Sequence, residues 1–309
     1  IYKELKAISE IYKVIKTVNP EILEFFTIKP VLYGGIISKL FSIPKKVFYI
    51  TGLGYVFIAK GLKGFVVRNI VKTLYKIAIS GKNNSIITEN IYDKELINKL
   101  NAVDESQITI IKGAGVDLEQ YKCTQENNEN IKVSMACRLL KDKGVFEYTK
   151  AVKILKDRGV NAEFELYGDI DIHNPTSLTD GDIEKIKQEA ELKVYGFSNN
   201  IASVFAYTNI VVLPSYREGL PKVLIEAAAS GRAVVTTDVP GCRDAIEPNV
   251  SGFLCKVKDE FSLAEQIQKL ILDKDMRNKM GKAGRELACR EFDIKKVLDK
   301  HFTIYEGKV

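Results

Sequence analysis

The sequence predicts an α/β protein of two Rossmann-like, doubly wound domains, and three observations carry that prediction. Short β-branched runs alternate with helical stretches, the pattern of βαβ units in a parallel sheet. A length of 309 residues is more than one ordinary core organises. The stretch Ile210 to Gly231 reads as a buried strand, a tight loop and a helix in immediate succession.

Taken in order, Tyr2 to Val18 has helical periodicity and 21–26 reads as a strand. Weaker strands follow at 47–51, 85–88 and 108–111, between helices. The polar run 123–130 lacks apolar periodicity and reads as an interdomain linker, so residues 1–122 form a first domain. From 131 to 290 the alternation is clear. Strands at 131–136, 163–167, 192–195, 210–213, 233–236 and 252–255 are interleaved with helices at 145–158, 181–191, 200–206 and 261–273. A last helix within 291–309 is expected to cross back to the first domain. Two such domains facing a cleft would bind ligand beyond their strand carboxyl ends.

Composition narrows the class. Apolar content of 46% with 28% charged residues excludes a disordered chain. No apolar run reaches the roughly 18 residues that span a bilayer. The run 47–59 is broken by Thr51, Gly52 and Gly54. Five cysteines without a C-x-x-C pair read as free thiols in a reducing compartment. Residues 1–82 carry 13 Lys and one Arg against four Glu, although the whole chain is only +6. Much of the excess (Lys60, Lys63, Arg68, Lys72, Lys76) lies among apolar residues of 55–82, which suits an anionic membrane surface. A solvated helix face is the plain alternative, and no nucleic-acid reader motif accompanies the charge.

The chemistry concentrates at Ser215–Gly231. Glu218 and Glu226 stand eight residues apart around a loop that opens a helix. Pro221 suits the first helical turn, having no amide proton to satisfy, and Gly231 suits the position past the helix end. Backbone N–H groups and a positive dipole end are aimed at one spot, where α/β sheets bind phosphate or a sugar hydroxyl. Arg138 and Lys143 lie between a strand end and the helix start after Gly144, placed to clamp a diphosphate. By themselves both read equally as loop cations. Glu226 also reads as an i,i+4 partner of Lys222, and Glu218 as a carboxylate at a helix start. Asp169-Ile-Asp171 matches a D-x-D metal motif, but three letters recur easily and the loop already supplies cations. No metal or other cofactor is expected.

Glu218 to Glu226 resembles the E-x7-E signature of retaining GT-B glycosyltransferases of the family-four group. The segments 110–117, 135–144, 235–245 and 251–254 resemble other motifs of that family, in its order, and the likeness runs from about Pro30 to Tyr305. The resemblance implies that Arg138 and Lys143 clamp the donor diphosphate and that Glu218 faces the donor sugar. It implies that Glu226 accepts ribose hydroxyls and that the amides of Gly219, Leu220, Pro221, Lys222 and Val223 line the sugar or distal phosphate, Pro221 lacking an N–H of its own. Gly196 and Phe197 would meet the base, largely through backbone. It also implies further strand and helix units before Tyr2, so the first domain is expected to be incomplete. Ile50-Thr-Gly-Leu-Gly-Tyr55 stands where many members have Thr-x-His-Gly, with Leu53 in place of the histidine. In the mechanism the resemblance implies, the departing phosphate deprotonates the acceptor and no protein base is needed.

The expected activity is transfer of a sugar from a nucleotide-sugar, expected to be UDP-linked, to a polyprenyl-diphosphate-linked saccharide in surface polysaccharide synthesis. The expected place is the cytoplasmic face of the membrane, held peripherally. The competing readings are a soluble acceptor on the same fold, or a non-catalytic nucleotide- or membrane-binding module. A nicotinamide enzyme lacks its G-x-G-x-x-G here.

Overall fold

The computed structural model describes residues 2–52, 61–126 and 129–307, with nothing said of the side chains of 61–64. Leu53, Gly54, Tyr55, Lys60 and residues 127–128 of the expected linker therefore lie outside the described residues. The chain divides into two compact units, 1–113 with 297–309, and 114–296.

The first unit carries a four-stranded parallel sheet in the order β1-β2-β3-β4: Ile22–Phe26, Lys45–Ile50, Asn84–Thr88 and Ile108–Ile110. Helix α1 (Tyr2–Val18) precedes β1, and α2 (Ile28–Ile37), α3 (Gly61–Ile79) and α4 (Ile91–Asn98) connect the strands. Phe25, Phe48, Ile86 and Ile108 from the strands bury against Val31, Tyr75, Ile79 and Ile97 from α2 to α4. The opposite face, with Val47, Tyr49 and Ile87, is covered by Val297 and Ile304 of α11 (Ile294–Tyr305).

The second unit holds six parallel strands: β5 (Lys132–Ala136), β6 (Glu163–Tyr167), β7 (Lys193–Tyr195), β8 (Ile210–Leu213), β9 (Ala233–Thr237) and β10 (Gly252–Cys255). Their order is β10-β9-β8-β5-β6-β7. The chain winds outward from β5 to β7, returns to place β8 beside β5, and then winds the other way. All of β8 and β9 is buried, and β8 accordingly reads as a continuous apolar run, while β9 ends on Thr236 and Thr237, whose hydroxyls bond the carbonyls of Leu213 and Ser215. The helices are α5 (Val145–Asp157), α6 (Asp180–Ala190), α7 (Ile201–Tyr207), α8 (Lys222–Ala229), α9 (Glu260–Leu272) and α10 (Lys274–Leu287). Helix α10 has no counterpart in the sequence reading, because Gly281 and Gly284 weaken its helical signal.

One boundary differs from expectation. The division falls between Gly113 and Ala114, not at 123–130. Composition marks the polar run as a linker, but side chains fasten it to the second unit. Thr124 Oγ1 donates to the Ala206 carbonyl at 2.8 Å. Arg232, fully buried, donates to the carbonyls of Phe205, Ala206 and Thr124 at 2.8, 3.1 and 3.0 Å. Buried Arg277 pairs with Glu126 at 2.9 Å. The return of the chain falls at 296/297, so the expected terminal segment 291–309 begins in the second unit and ends in the first.

Arg232→Ala takes the guanidinium donors from the carbonyls of Phe205 and Thr124, and from that of Ala206, which keeps only Thr124 Oγ1. Urea unfolding is expected to show a loss of about 2–4 kcal/mol, well beyond a surface substitution.

Candidate active site at the strand reversal

Where strand order reverses, the loops leaving neighbouring strands part and open a crevice at the sheet's carboxyl edge. Here the reversal lies between β5 and β8. The loop after β5 carries Arg138 and Lys143 into α5, and the loop after β8 carries Ser215 to Pro221 into α8. Every residue of the sequence-predicted diphosphate and E-x7-E sets is thus brought to one edge of one sheet. Neither helix start is capped by a side chain. Pro221 is the cap residue itself, extended at φ −72°, ψ 117°, and the first helical residue is Lys222. This moves Pro221 out of the first turn, where the sequence reading put it.

Two glycines press the loops together. Gly144 has φ +76°, and a Cβ there would lie 2.2 Å from the Pro214 carbonyl oxygen. Gly241 has φ +81°, and its Cβ would lie 2.3 Å from the Gly219 oxygen. Only glycine allows both the left-handed backbone and that approach. The two main loops are joined directly as well, Tyr216 N donating to Asp142 O at 2.9 Å.

The charges pair in a definite way. Lys143 Nζ lies 2.5 Å from Glu218 Oε1, with the side chains only 17% and 12% exposed. Removing either partner leaves a poorly solvated charge. Arg138 is 63% exposed and meets Asp171 Oδ2 at 3.1 Å. Glu226 is buried and accepts from Tyr121 Oη at 2.6 Å, while Lys222 Nζ stands 3.4 Å from the same oxygen. The Lys222–Glu226 pair weighed in the sequence therefore forms, but Lys222 is 67% exposed and the pair is soft. Cys137, just past β5, has its thiol pushed up to about 12, chiefly by burial. It stays protonated at neutral pH and is a poor nucleophile.

The D-x-D pair sits at the exit of β6, between β5 and β7. Asp169 Oδ1 accepts from Phe197 N at 3.1 Å, fixing the loop of Gly196 and Phe197, and Phe197 presents a largely exposed ring. Asp171 Oδ2 takes Arg138, and its Oδ1 takes His173 N at 3.3 Å. The two carboxylates thus brace the loops on either side. Gly219 and Val223 are half-buried and Leu220 and Pro221 buried. Sequence reasoning missed Tyr121, since no short-range signal links it to a carboxylate 105 residues away. His173 is exposed, and His301 bonds Tyr49 at 3.2 Å within the first unit. A groove of about 490 Å³ lies at the amino ends of β2 to β4, lined by Lys45, Asn84, Asp104 and Gln107. Parallel sheets bind ligand at the other end, so it is not the candidate site.

Residues 117–287 match the family described as Glycosyl transferases group 1, and residues 2–90 that described as Glycosyl transferase 4-like. N,N'-diacetylbacillosaminyl-diphospho-undecaprenol alpha-1,3-N-acetylgalactosaminyltransferase of Campylobacter jejuni is 29% identical, over 98% of this chain and 81% of its own length. The capsular polysaccharide biosynthesis glycosyltransferase CapM of Staphylococcus aureus is 26% identical, over 99% and 81%. UDP-Gal:alpha-D-GlcNAc-diphosphoundecaprenol alpha-1,3-galactosyltransferase of Escherichia coli is 25% identical, over 99% and 80%. Among solved structures, Anabaena HepE in complex with UDP and glucose superposes with a TM-score of 0.76 at 18% identity, covering 96% of this chain and 80% of that one. The last is a likeness of fold, and it agrees with two Rossmann-like domains of the GT-B class.

The two cations of the loop after β5 should behave differently in thermal unfolding. Lys143→Ala leaves Glu218 poorly solvated and is expected to cost about 1–3 kcal/mol. Arg138→Ala removes only an exposed pair and is expected to stay within about 0.5 kcal/mol of the parent.

Proposed function

This chain belongs to the glycosyl transferases group 1 family, and on that premise we propose that it is a retaining, metal-independent enzyme. It moves a sugar from a UDP-linked donor to a polyprenyl-diphosphate-linked saccharide in surface polysaccharide synthesis. The observation that carries the proposal is the convergence of Arg138, Lys143, Glu218 and Glu226, with two helix starts uncapped by side chains, at the strand reversal of the second unit. Breaking a glycosidic bond to a nucleoside diphosphate builds negative charge on the leaving phosphate. Cations and N–H groups fixed beforehand stabilise that charge with little reorganisation. Arg138 offers a planar fork and Lys143 a point charge, and the starts of α5 and α8 add their dipoles. Glu226 would hold the ribose, Glu218 the donor sugar, and the loop at Gly196 and Phe197 the base.

The names of the relatives support the acceptor class: two of them specify a diphospho-undecaprenol-linked saccharide, and one specifies UDP-Gal. Retention follows the family resemblance, in which the departing phosphate takes the acceptor's proton on the same face of the sugar. The loop after β5 already supplies the cations that a metal would otherwise bring. Both carboxylates of the D-x-D are engaged by protein donors.

A lipid-linked acceptor implies work at a membrane. No helix among the described residues is long and apolar enough to cross one. Surface attachment is supported by α3, which exposes Phe65, Val66, Val67, Ile70 and Ile77 on the helix that carries Arg68, Lys72 and Lys76.

Calorimetric titration with UDP and GDP in EDTA tests the donor site. Arg138→Ala and Glu226→Ala are each expected to weaken the tighter ligand by roughly 1–3 kcal/mol, and unchanged affinity in both would refute the site. Glu218→Ala is expected to lower transfer more than binding. Asp169→Asn should keep its activity in chelator, and strict metal dependence would overturn that part of the proposal. Sedimentation with phosphatidylglycerol vesicles tests the surface. The chain should pellet, and the Lys72→Glu/Lys76→Glu variant should pellet less, by about 1 kcal/mol per charge removed.

A further inference from the structure

Glu226 is held by an unusually firm neighbour. Tyr121 packs its ring in the main core of the second unit, where phenylalanine would serve as well. A buried phenol needs an acceptor, and the Tyr121 hydroxyl finds it in Glu226 Oε1 at 2.6 Å. The turn that carries Tyr121 is rigid. Its amide donates to Asp117 O at 3.0 Å, and Asp117 Oδ1 accepts from Glu119 N at 2.8 Å. One guanidinium then staples that turn to the helix of Glu226: Arg285 donates to Tyr121 O at 2.7 Å, to Leu118 O at 3.1 Å, and to Ala229 O at the end of α8. Lys222 also addresses Oε1, while no donor among the described residues addresses Oε2.

We infer that Tyr121 is a positioning residue for the donor, fixing Glu226 by one oxygen so that the other is presented to the ribose hydroxyls. The inference rests on the reading of Glu226 given above. A carboxylate on a helix has several rotamers, and accepting two neighbouring hydroxyls demands one of them. Lys222, exposed and mobile on its long stem, cannot fix that choice, whereas a core phenol can. The charge-assisted bond costs no ordering when the donor arrives.

The test compares the affinities of UDP and 2′,3′-dideoxy-UDP in wild type, Tyr121→Phe and Glu226→Gln, using GDP and its dideoxy analogue if GDP binds more tightly. Wild type is expected to prefer the ribonucleotide by at least about tenfold, the size of a lost hydrogen bond to a charged group. In Tyr121→Phe the preference should shrink to about threefold or less, with the dideoxy analogue bound as in wild type. A role in packing alone would weaken both ligands equally and leave their ratio intact, which overturns the inference. If Glu226→Gln keeps the full preference, the reading of Glu226 fails and takes this inference with it. If Glu226→Gln loses the preference and Tyr121→Phe keeps it, only the inference about Tyr121 fails.

Discussion

The return of β8 to the side of β5 is the constraint on which the site depends. Because the chain winds outward on either side of this pair, the loops that leave β5 and β8 diverge, and α5 and α8 start at the resulting crevice. Gly144 lets the loops after β5 and β8 touch backbone to backbone, and Gly241 lets the loop after β9 do the same against Glu218 and Gly219. The Lys143–Glu218 pair then spans the crevice as its least solvated charge contact. A ligand phosphate that competes for Lys143 must also accommodate Glu218, so the two roles assigned to these residues are physically coupled.

Around this centre the loops brace one another. Asp169 and Asp171 hold the segments after β7 and β5, and the pair that looks like a metal motif in the sequence acts as a tie between neighbouring loops. Three arginines, two of them fully buried, do similar work behind the site. Arg232 and Arg277 anchor the polar run after Tyr121, and Arg285 joins the turn of Tyr121 to the end of α8. Such groups are costly to bury, and each is satisfied by carbonyls or a carboxylate.

Much of this was legible in the sequence, for identifiable reasons. The strand at 210–213 has the expected bounds because a β-branched run with sharp turn signals leaves little choice, and the strand at 252–255 also falls where expected, just after the Ser251-Gly252 turn signal. Glu218, Glu226, Arg138 and Lys143 stood out because a strand, a loop and a helix start follow in a few residues. The division at 113/114 was hidden because the polar composition of 123–130 outweighs, in sequence, the side-chain bonds that only the fold creates. Arginine is ordinarily exposed, so Arg232 and Arg277 gave no sign of being buried. Tyr121 was invisible for a related reason: its partner lies 105 residues away, and a core tyrosine looks like any other core aromatic.

The most direct test of the central claim is a map of backbone amide shifts on titrating the chain with UDP in EDTA. The largest shifts are expected in residues 138–146 and 216–226, with smaller ones at 196–197. Shifts centred on Asn84, Asp104 and Gln107 at the amino ends of the first unit's strands, or spread without focus, would contradict the assignment of the strand reversal as the nucleotide site.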